Sequence, residues 1–347
     1  MQQATSMKHL AKIANCSVMT VSLALRNSHK VSTETRKRIQ ELAAEHGYRR
    51  NPMVSALMAT RRGPRAQTRE GIALLTKFGE KLESWREPHI FYSDLYNGMV
   101  ARCSELGFAL QEFPTVGPDG LGSVALRRIL RARNIRGVIL MPGGDLERPF
   151  PTLDYENHCL VSVAYHSPEL NIHRSAWDYS SGMAECLEQV VARGYQRVGL
   201  ALNKRLDPET LYAFSGRFFA WQQSQPHNRR LPLVSGREKL LDKEKFLAWY
   251  HRWRPDCIVA SIIDYKNWLH EVGISVPEEC GYAMLSTRGL KNVSGIYSPP
   301  EQMGRAAVNL VVRELFINNM GLPLYPETVL LKGQWVDGHS LRHPTGN

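Results

Sequence analysis

From residue 71 onward the chain alternates short runs of apolar residues with amphipathic stretches of helical period, and nothing else in its 347 residues limits the fold as much. The strand candidates are GIALLTKF (71 to 78), FALQEF (108 to 113), GVILM (137 to 141), LVSVA (160 to 164), RVGLAL (197 to 202), CIVASII (257 to 263) and GYAMLS (281 to 286). Helical stretches separate them, notably at 91 to 106, 122 to 134, 181 to 193, 210 to 224 and 300 to 319. Strands that are apolar along their length need cover on both faces, and a helix between strands supplies the crossover that parallel pairing requires. The pattern predicts α/β structure with parallel sheets. One doubly wound sheet and two separate lobes satisfy it equally.

Charge is distributed unevenly along the chain. Of the 44 Lys and Arg and 33 Asp and Glu, residues 1 to 70 hold 13 and 4, so they carry +9 of the net +11. A basic end on an otherwise near-neutral chain is the electrostatic footprint of a nucleic-acid module, or else a solvated tail, and charge alone leaves both open. No apolar run reaches the length of a membrane span, and the first residues lack the order of a signal peptide, which points to the cytoplasm and no membrane partner. The six cysteines form no CxxC pair and the twelve histidines show no metal spacing, so reduced, buried thiols and no metal site are expected. P-loop, HExxH and GxSxG patterns are absent, and Gly117, Gly120 and Gly122 read as a loop. No catalytic residue and no cofactor is assigned, and the chain is read as not an enzyme.

The N-terminal pattern decides what the basic end is for. Ser6 suits an N-cap, and Leu10, Ala11, Ile13 and Ala14 give residues 7 to 14 one apolar face. Asn15 follows where a tight turn needs a left-handed backbone, which Asn tolerates better than other residues with a side chain. Ser17 then caps a second helix over 17 to 26, with Val21, Ala24 and Leu25 inward and Val18, Met19, Ser22 and Arg26 outward. A third helix starts near Ser32, turns Ile39, Leu42 and Ala43 inward and ends at Gly47. Three short helices with a tight turn between the first two form the helix-turn-helix that lays its second helix in the major groove of DNA.

The segments LAKIANCSVMTVSLALRN (10 to 27), VSTETRKRIQELAAEHGY (31 to 48) and NPMVSALMA (51 to 59) resemble the headpiece and hinge of the LacI/GalR family of bacterial transcription regulators. The resemblance implies that Ser17, Thr20, Ser22, Ser32 and Thr35 hold DNA phosphates. It places Val18, Met19 and Leu23 against base edges. Leu23 stands where relatives commonly have Arg, so readout is expected to lean on thymine methyls, with Arg26 and Lys30 as polar readers. Packing against the third helix is the other reading of Leu23. Asn51, Pro52, Val54, Leu57 and Met58 read as a helix too short to persist alone, one that folds beside its dimer mate on DNA. Leu57 matches the family's minor-groove wedge, and Arg61, Arg62 and Arg65 form a basic connector. The implied domains are a headpiece (1 to 50), a hinge and linker (51 to 70) and an effector-binding and dimerisation domain (71 to 347).

Scattered landmarks extend the resemblance over the rest: Asn97-Gly98, Ile135 to Ile139, Asp178 with Gly182, Gly194 to Val198, Val276-Pro277 and Met303-Gly304. They imply the two-lobed periplasmic-binding-protein fold, with a cleft between lobes and three crossover segments. Pockets in such sheets lie beyond the C-terminal ends of strands. The implied effector contacts are His89, Phe91, Tyr92 and Asp94 after the first strand, Asp178 between Trp177 and Tyr179, and Asp264 after CIVASII. Each of Asp178 and Asp264 is otherwise a helix cap or turn residue. Ala213 stands where many relatives have Arg, and Arg217 is the nearby substitute. The expected protein is a homodimeric regulator, a repressor, that binds double-stranded operator DNA and is controlled by a small-molecule effector, a sugar or related metabolite. A ligand-independent architectural DNA protein and a regulatory enzyme with an appended helix-turn-helix are the alternatives.

Overall fold

The computed structural model describes residues 7–25, 31–46, 48, 70–82, 90–145, 147–165, 170–203, 205–235 and 242–343. They fall into two compact units, a helical headpiece and an α/β domain.

The headpiece holds α1 (Met7–Ile13), α2 (Val18–Ala24) and α3 (Thr33–Glu45). Leu10, Ala11, Ala14, Val21, Ala24, Val31, Ile39 and Ala43 are buried together, whereas Ile13, expected inward, is 38% exposed. Asn15 takes the left-handed conformation at φ 48°. The Cys16 N–H then turns back onto the Ala11 carbonyl at 3.0 Å, closing α1. Ser17 and Ser32 cap α2 and α3, their hydroxyl oxygens accepting from the N–H groups of Thr20 (3.0 Å) and Thr35 (3.2 Å). Side chains of α3 satisfy carbonyls that the shorter helices leave over: Arg38 donates to Ala14 O at 3.1 Å and Gln40 to Ala24 O at 3.2 Å. Gly47 lies outside the described residues.

The α/β domain is built on two six-stranded sheets. The first contains β1 (Glu70–Thr76), β2 (Phe108–Pro114), β3 (Gly137–Leu140), β4 (Cys159–Val163), β5 (His173–Trp177) and β11 (Thr328–Leu331), all parallel, in the order β11-β5-β4-β3-β1-β2. The second contains β6 (Val198–Leu202), β7 (Val234–Ser235), β8 (Cys257–Ala260), β9 (Gly281–Met284), β10 (Ser294–Tyr297) and β12 (Gln334–Val336), in the order β12-β10-β9-β8-β6-β7. Its pairs are parallel, as expected, apart from the antiparallel pair of β10 with β12 at one edge.

Helices α4 (Ile90–Glu105), α5 (Ser123–Ala132) and α11 (Pro300–Ile317) belong to the first lobe. Helices α6 (Tyr179–Ala192), α7 (Leu206–Glu209), α8 (Ala213–Gln223), α9 (Lys243–Trp253) and α10 (Asp264–Glu271) belong to the second. Alternate residues of each central strand face opposite layers. Ile72 and Leu74 pack with α4 and α11, and Ala73 and Leu75 with α5. In the second lobe Leu200 and Leu202 pack with α6 and α8, and Ala201 with α9 and α10. The chain passes between lobes three times, from β5 to α6, from β10 to α11 and from β11 to β12. Two lobes, not one sheet, is the solution.

Two glycines let α4 and α11 cross closely. A Cβ on Gly98 would overlap the Glu301 carbonyl, and one on Gly304 would overlap that of Leu95. All six cysteines are free thiols; five are buried and Cys16 is half-buried. Burial pushes the Cys103, Cys159 and Cys186 thiols up to about 12, which keeps them protonated and inert. Among the described residues no helix is long and apolar enough to cross a membrane, and no cluster of His, Cys, Asp and Glu is placed to hold a metal ion.

Candidate functional site

Two faces carry chemistry, one in each unit. On the headpiece, Val18 is 41% and Met19 70% exposed, so the outer stripe of α2 presents apolar groups to solvent. Leu23 is half-buried against the headpiece core. Hydroxyls crowd the starts of α2 and α3. Ser17 and Thr20 lie 2.9 Å apart through their oxygens. Ser32 accepts from the Thr35 N–H and donates to Thr35 Oγ1 at 2.8 Å, which leaves the Thr35 hydroxyl proton to point elsewhere. Two helix N-termini bearing hydroxyls suit phosphate oxygens. Arg26, Lys30, Leu57 and His89 lie outside the described residues, as does the side chain of Ser22.

In the α/β domain the strand order reverses beside β1 in the first lobe and beside β6 in the second, which makes the ends of those strands the crevice of each sheet. Tyr92, near the start of α4, packs edge-on against Phe78 (5.0 Å between centroids) and Phe91 (5.2 Å). Gly143, after β3, adopts φ 85° and lies where a Cβ would strike the Tyr92 ring. The aromatic surface continues across the lobes. Tyr165, after β4, faces Tyr179 of α6 at 6.4 Å, and Tyr179 meets Phe214 of α8 at 5.3 Å.

Charged groups join the two walls. Asp94 of α4 forms an ion pair with Arg288, which follows β9 in the other lobe. Arg205 and Glu209 of the second lobe pair at 3.2 Å, and both act on the hydroxyl of Tyr92 in the first. Burial raises the Tyr92 hydroxyl most, Glu209 adds to the rise and Arg205 opposes it. Burial likewise raises Tyr165, against Arg174 and with Asp178, and raises Tyr179 further. All three hydroxyls are therefore neutral donors at physiological pH. The indole N–H of Trp177, at the end of β5, is buried with no hydrogen-bond partner.

Phe91, Tyr92 and Asp94 thus come together at the cleft. Asp178 caps α6, its two carboxylate oxygens accepting from the Ser181 N–H (2.9 Å) and hydroxyl (2.5 Å). Asp264 opens α10, is exposed, and acts on Tyr265 and Tyr282 rather than on the aromatic cluster. Arg217 lies on the outer side of the second lobe, beside a surface depression of about 480 Å³ between α6 and α8. Sequence reasoning missed Tyr165, Arg205, Glu209, Phe214 and Arg288. Tyr165, Arg205 and Arg288 each stand within a few residues of an expected strand end, which is signal enough; Glu209 and Phe214 carry none.

A helix-turn-helix unit with outward apolar side chains is followed by two α/β lobes that meet over an aromatic, ion-paired cleft. Residues 6–51 match the family model "Bacterial regulatory proteins, lacI family". The transcriptional regulator CelR, solved with cellobiose, is 17% identical with a TM-score of 0.54, the match covering 97% of this chain and 99% of that one. The lac repressor dimer, solved on operator with the anti-inducer ONPF, is 16% identical with a TM-score of 0.53, covering 98% and 100%. A LacI family transcriptional regulator from Enterococcus faecium, with bound ribose, is 14% identical with a TM-score of 0.53, covering 80% and 100%. No curated protein matches the sequence. The chain carries a lacI-family helix-turn-helix domain, and its fold is that of LacI-family regulators over nearly its whole length.

Proposed function

We propose that the protein is a cytoplasmic, homodimeric transcriptional repressor that binds a pseudo-palindromic operator and responds to a sugar or related metabolite in the cleft. One observation carries this reading: a lacI-family headpiece is joined to a domain whose two lobes face each other through Tyr92, Asp94, Tyr165, Tyr179 and Arg288. The sugars in the CelR and Enterococcus faecium structures, and the operator under the lac repressor dimer, support ligand and DNA classes by likeness of fold. Ser17, Thr20, Ser22, Ser32 and Thr35 anchor phosphates, Val18 and Met19 read thymine methyls with Arg26 and Lys30 beside them, and Leu57 wedges the minor groove. Residues 51–70 act as the hinge between the headpiece and the domain from residue 71. Ligand binding favours one angle between lobes, and the dimer passes that preference to the paired hinges. The test is selection of bound sites from random DNA by the full chain, followed by titration of the selected site with candidate sugars. Enrichment of a twofold site whose occupancy changes with ligand is expected; recovery of unrelated sequences without symmetry would sink the reading.

A further inference from the structure

We propose that the effector carries an anionic group, a carboxylate or a phosphate, which takes Arg288 over from Asp94. The inference rests on the effector-binding reading of the cleft and narrows its ligand class. The Asp94–Arg288 ion pair spans the two lobes, and its side chains are 24% and 30% exposed, so a solute can reach it. A guanidinium has five N–H donors, and here Nε is buried without an acceptor. One carboxylate has not saturated it. Arginine's planar fork suits bidentate exchange of one oxyanion for another.

The surrounding groups favour the same class. The carboxylates at this cleft are already engaged: Asp94 with Arg288, Glu209 with Arg205, and both oxygens of Asp178 with Ser181. The Trp177 indole N–H has no partner and can only donate, while the neutral Tyr165 and Tyr179 hydroxyls can donate or accept. The Arg288 guanidinium and the Trp177 indole, which can only donate, suit a group that only accepts. The aromatic walls formed by Phe78, Tyr92 and Phe214 then suit a ring on the same molecule.

The experiment uses the full chain, its Asp94→Asn variant and its Arg288→Gln variant, with ligand-free melting and DNA binding confirming that each folds. Thermal shift and calorimetric titration are run with galacturonate, gluconate and glucose 6-phosphate, with galactose and glucose as neutral counterparts, and with inorganic phosphate as the bare anion. An anionic sugar is expected to stabilise the wild type. Asp94→Asn, which removes the competing carboxylate, should tighten its binding about tenfold, and Arg288→Gln should weaken it about tenfold or more. Inorganic phosphate should stabilise Asp94→Asn more than the wild type and leave Arg288→Gln unmoved. The uronate and gluconate arms against the two phosphate arms tell carboxylate from phosphate. If a neutral sugar binds all three proteins alike while no anionic probe depends on Arg288, the anionic class is overturned and effector control stands. If no probe of either kind shifts any of the three, both fail.

Discussion

Met19 stands furthest into solvent of the apolar side chains on α2, 70% exposed, where a soluble helix gains nothing from a thioether unless a partner covers it. Replacing Met19 with Gln exchanges a methyl-seeking group for an amide that pairs with adenine. Site selection with the Met19→Gln protein is expected to return an altered base at one position of each half-site with binding retained; an unchanged preference removes Met19 from the readers. A second residue-level effect concerns buried phenols. Burial pushes the hydroxyls of Tyr195, Tyr250 and Tyr265 up to about 12 in the folded chain, against an ordinary value near 10. Below pH 10 they are neutral in both states and their contribution is intact. As pH rises through 10 toward 12 the unfolded chain ionises first, so stability falls. Unfolding followed by fluorescence across that window should show the loss, and phenolate absorbance should appear with unfolding, not before it. At this scale the capping hydroxyl of Ser17, the helix start near Ser32 and the left-handed Asn15 were legible, because each acts within four residues of itself. Ile13 was not, because a two-turn helix has too few residues to define its buried face. Asp178 caps α6, one of the two roles its position before a helical stretch allowed.

Helices α4 and α11 lie far apart in sequence and touch through Gly98 and Gly304. Each glycine removes the side chain that would hold the helices apart. Gly304→Ala should therefore cost roughly 1–3 kcal/mol through overpacking against the Leu95 carbonyl, read as a lowered melting temperature of the α/β domain. An exposed helical glycine such as Gly216, with open space around it, should tolerate Ala or gain from it, about 1 kcal/mol at most. The central strands were legible because burial on both faces writes them as continuous apolar runs. CIVASII overruns its strand: after Ala260, Ser261 Oγ accepts the Asn203 N–H at 2.7 Å and the Ile262 carbonyl accepts the Tyr282 hydroxyl, so the backbone leaves the ladder. Five strands escaped the reading, β5, β7, β10, β11 and β12, of which β10 (SGIY) is too short a run to stand out. β5, HRSAW, buries His173 and half-buries Arg174, which donates to the carbonyls of Leu170 and Ile172. β11 and β12 are exposed edges, and β7 is two residues long. Edge and polar strands are specified by distant partners rather than by their own pattern.

For the molecule as a whole, the surplus of +9 over residues 1 to 70 has a direct thermodynamic consequence. Each phosphate neutralised releases condensed counterions, so the logarithm of DNA affinity should fall linearly with the logarithm of salt, with a slope of about −0.9 per contact. Titration of a selected operator in a salt series checks this, and a flat response would remove the basic headpiece as the DNA contact. Local pattern determined the headpiece helices, their caps, the α/β class and the central strands, because short-range backbone preference and burial period are properties of neighbouring residues. Tertiary structure alone decided that there are two sheets and not one, that β11 and β12 close different lobes, and that Asp94 meets Arg288 across nearly two hundred residues of chain. Those outcomes are pairings between segments whose composition is compatible with several partners, and only the packing of the complete chain selects among them.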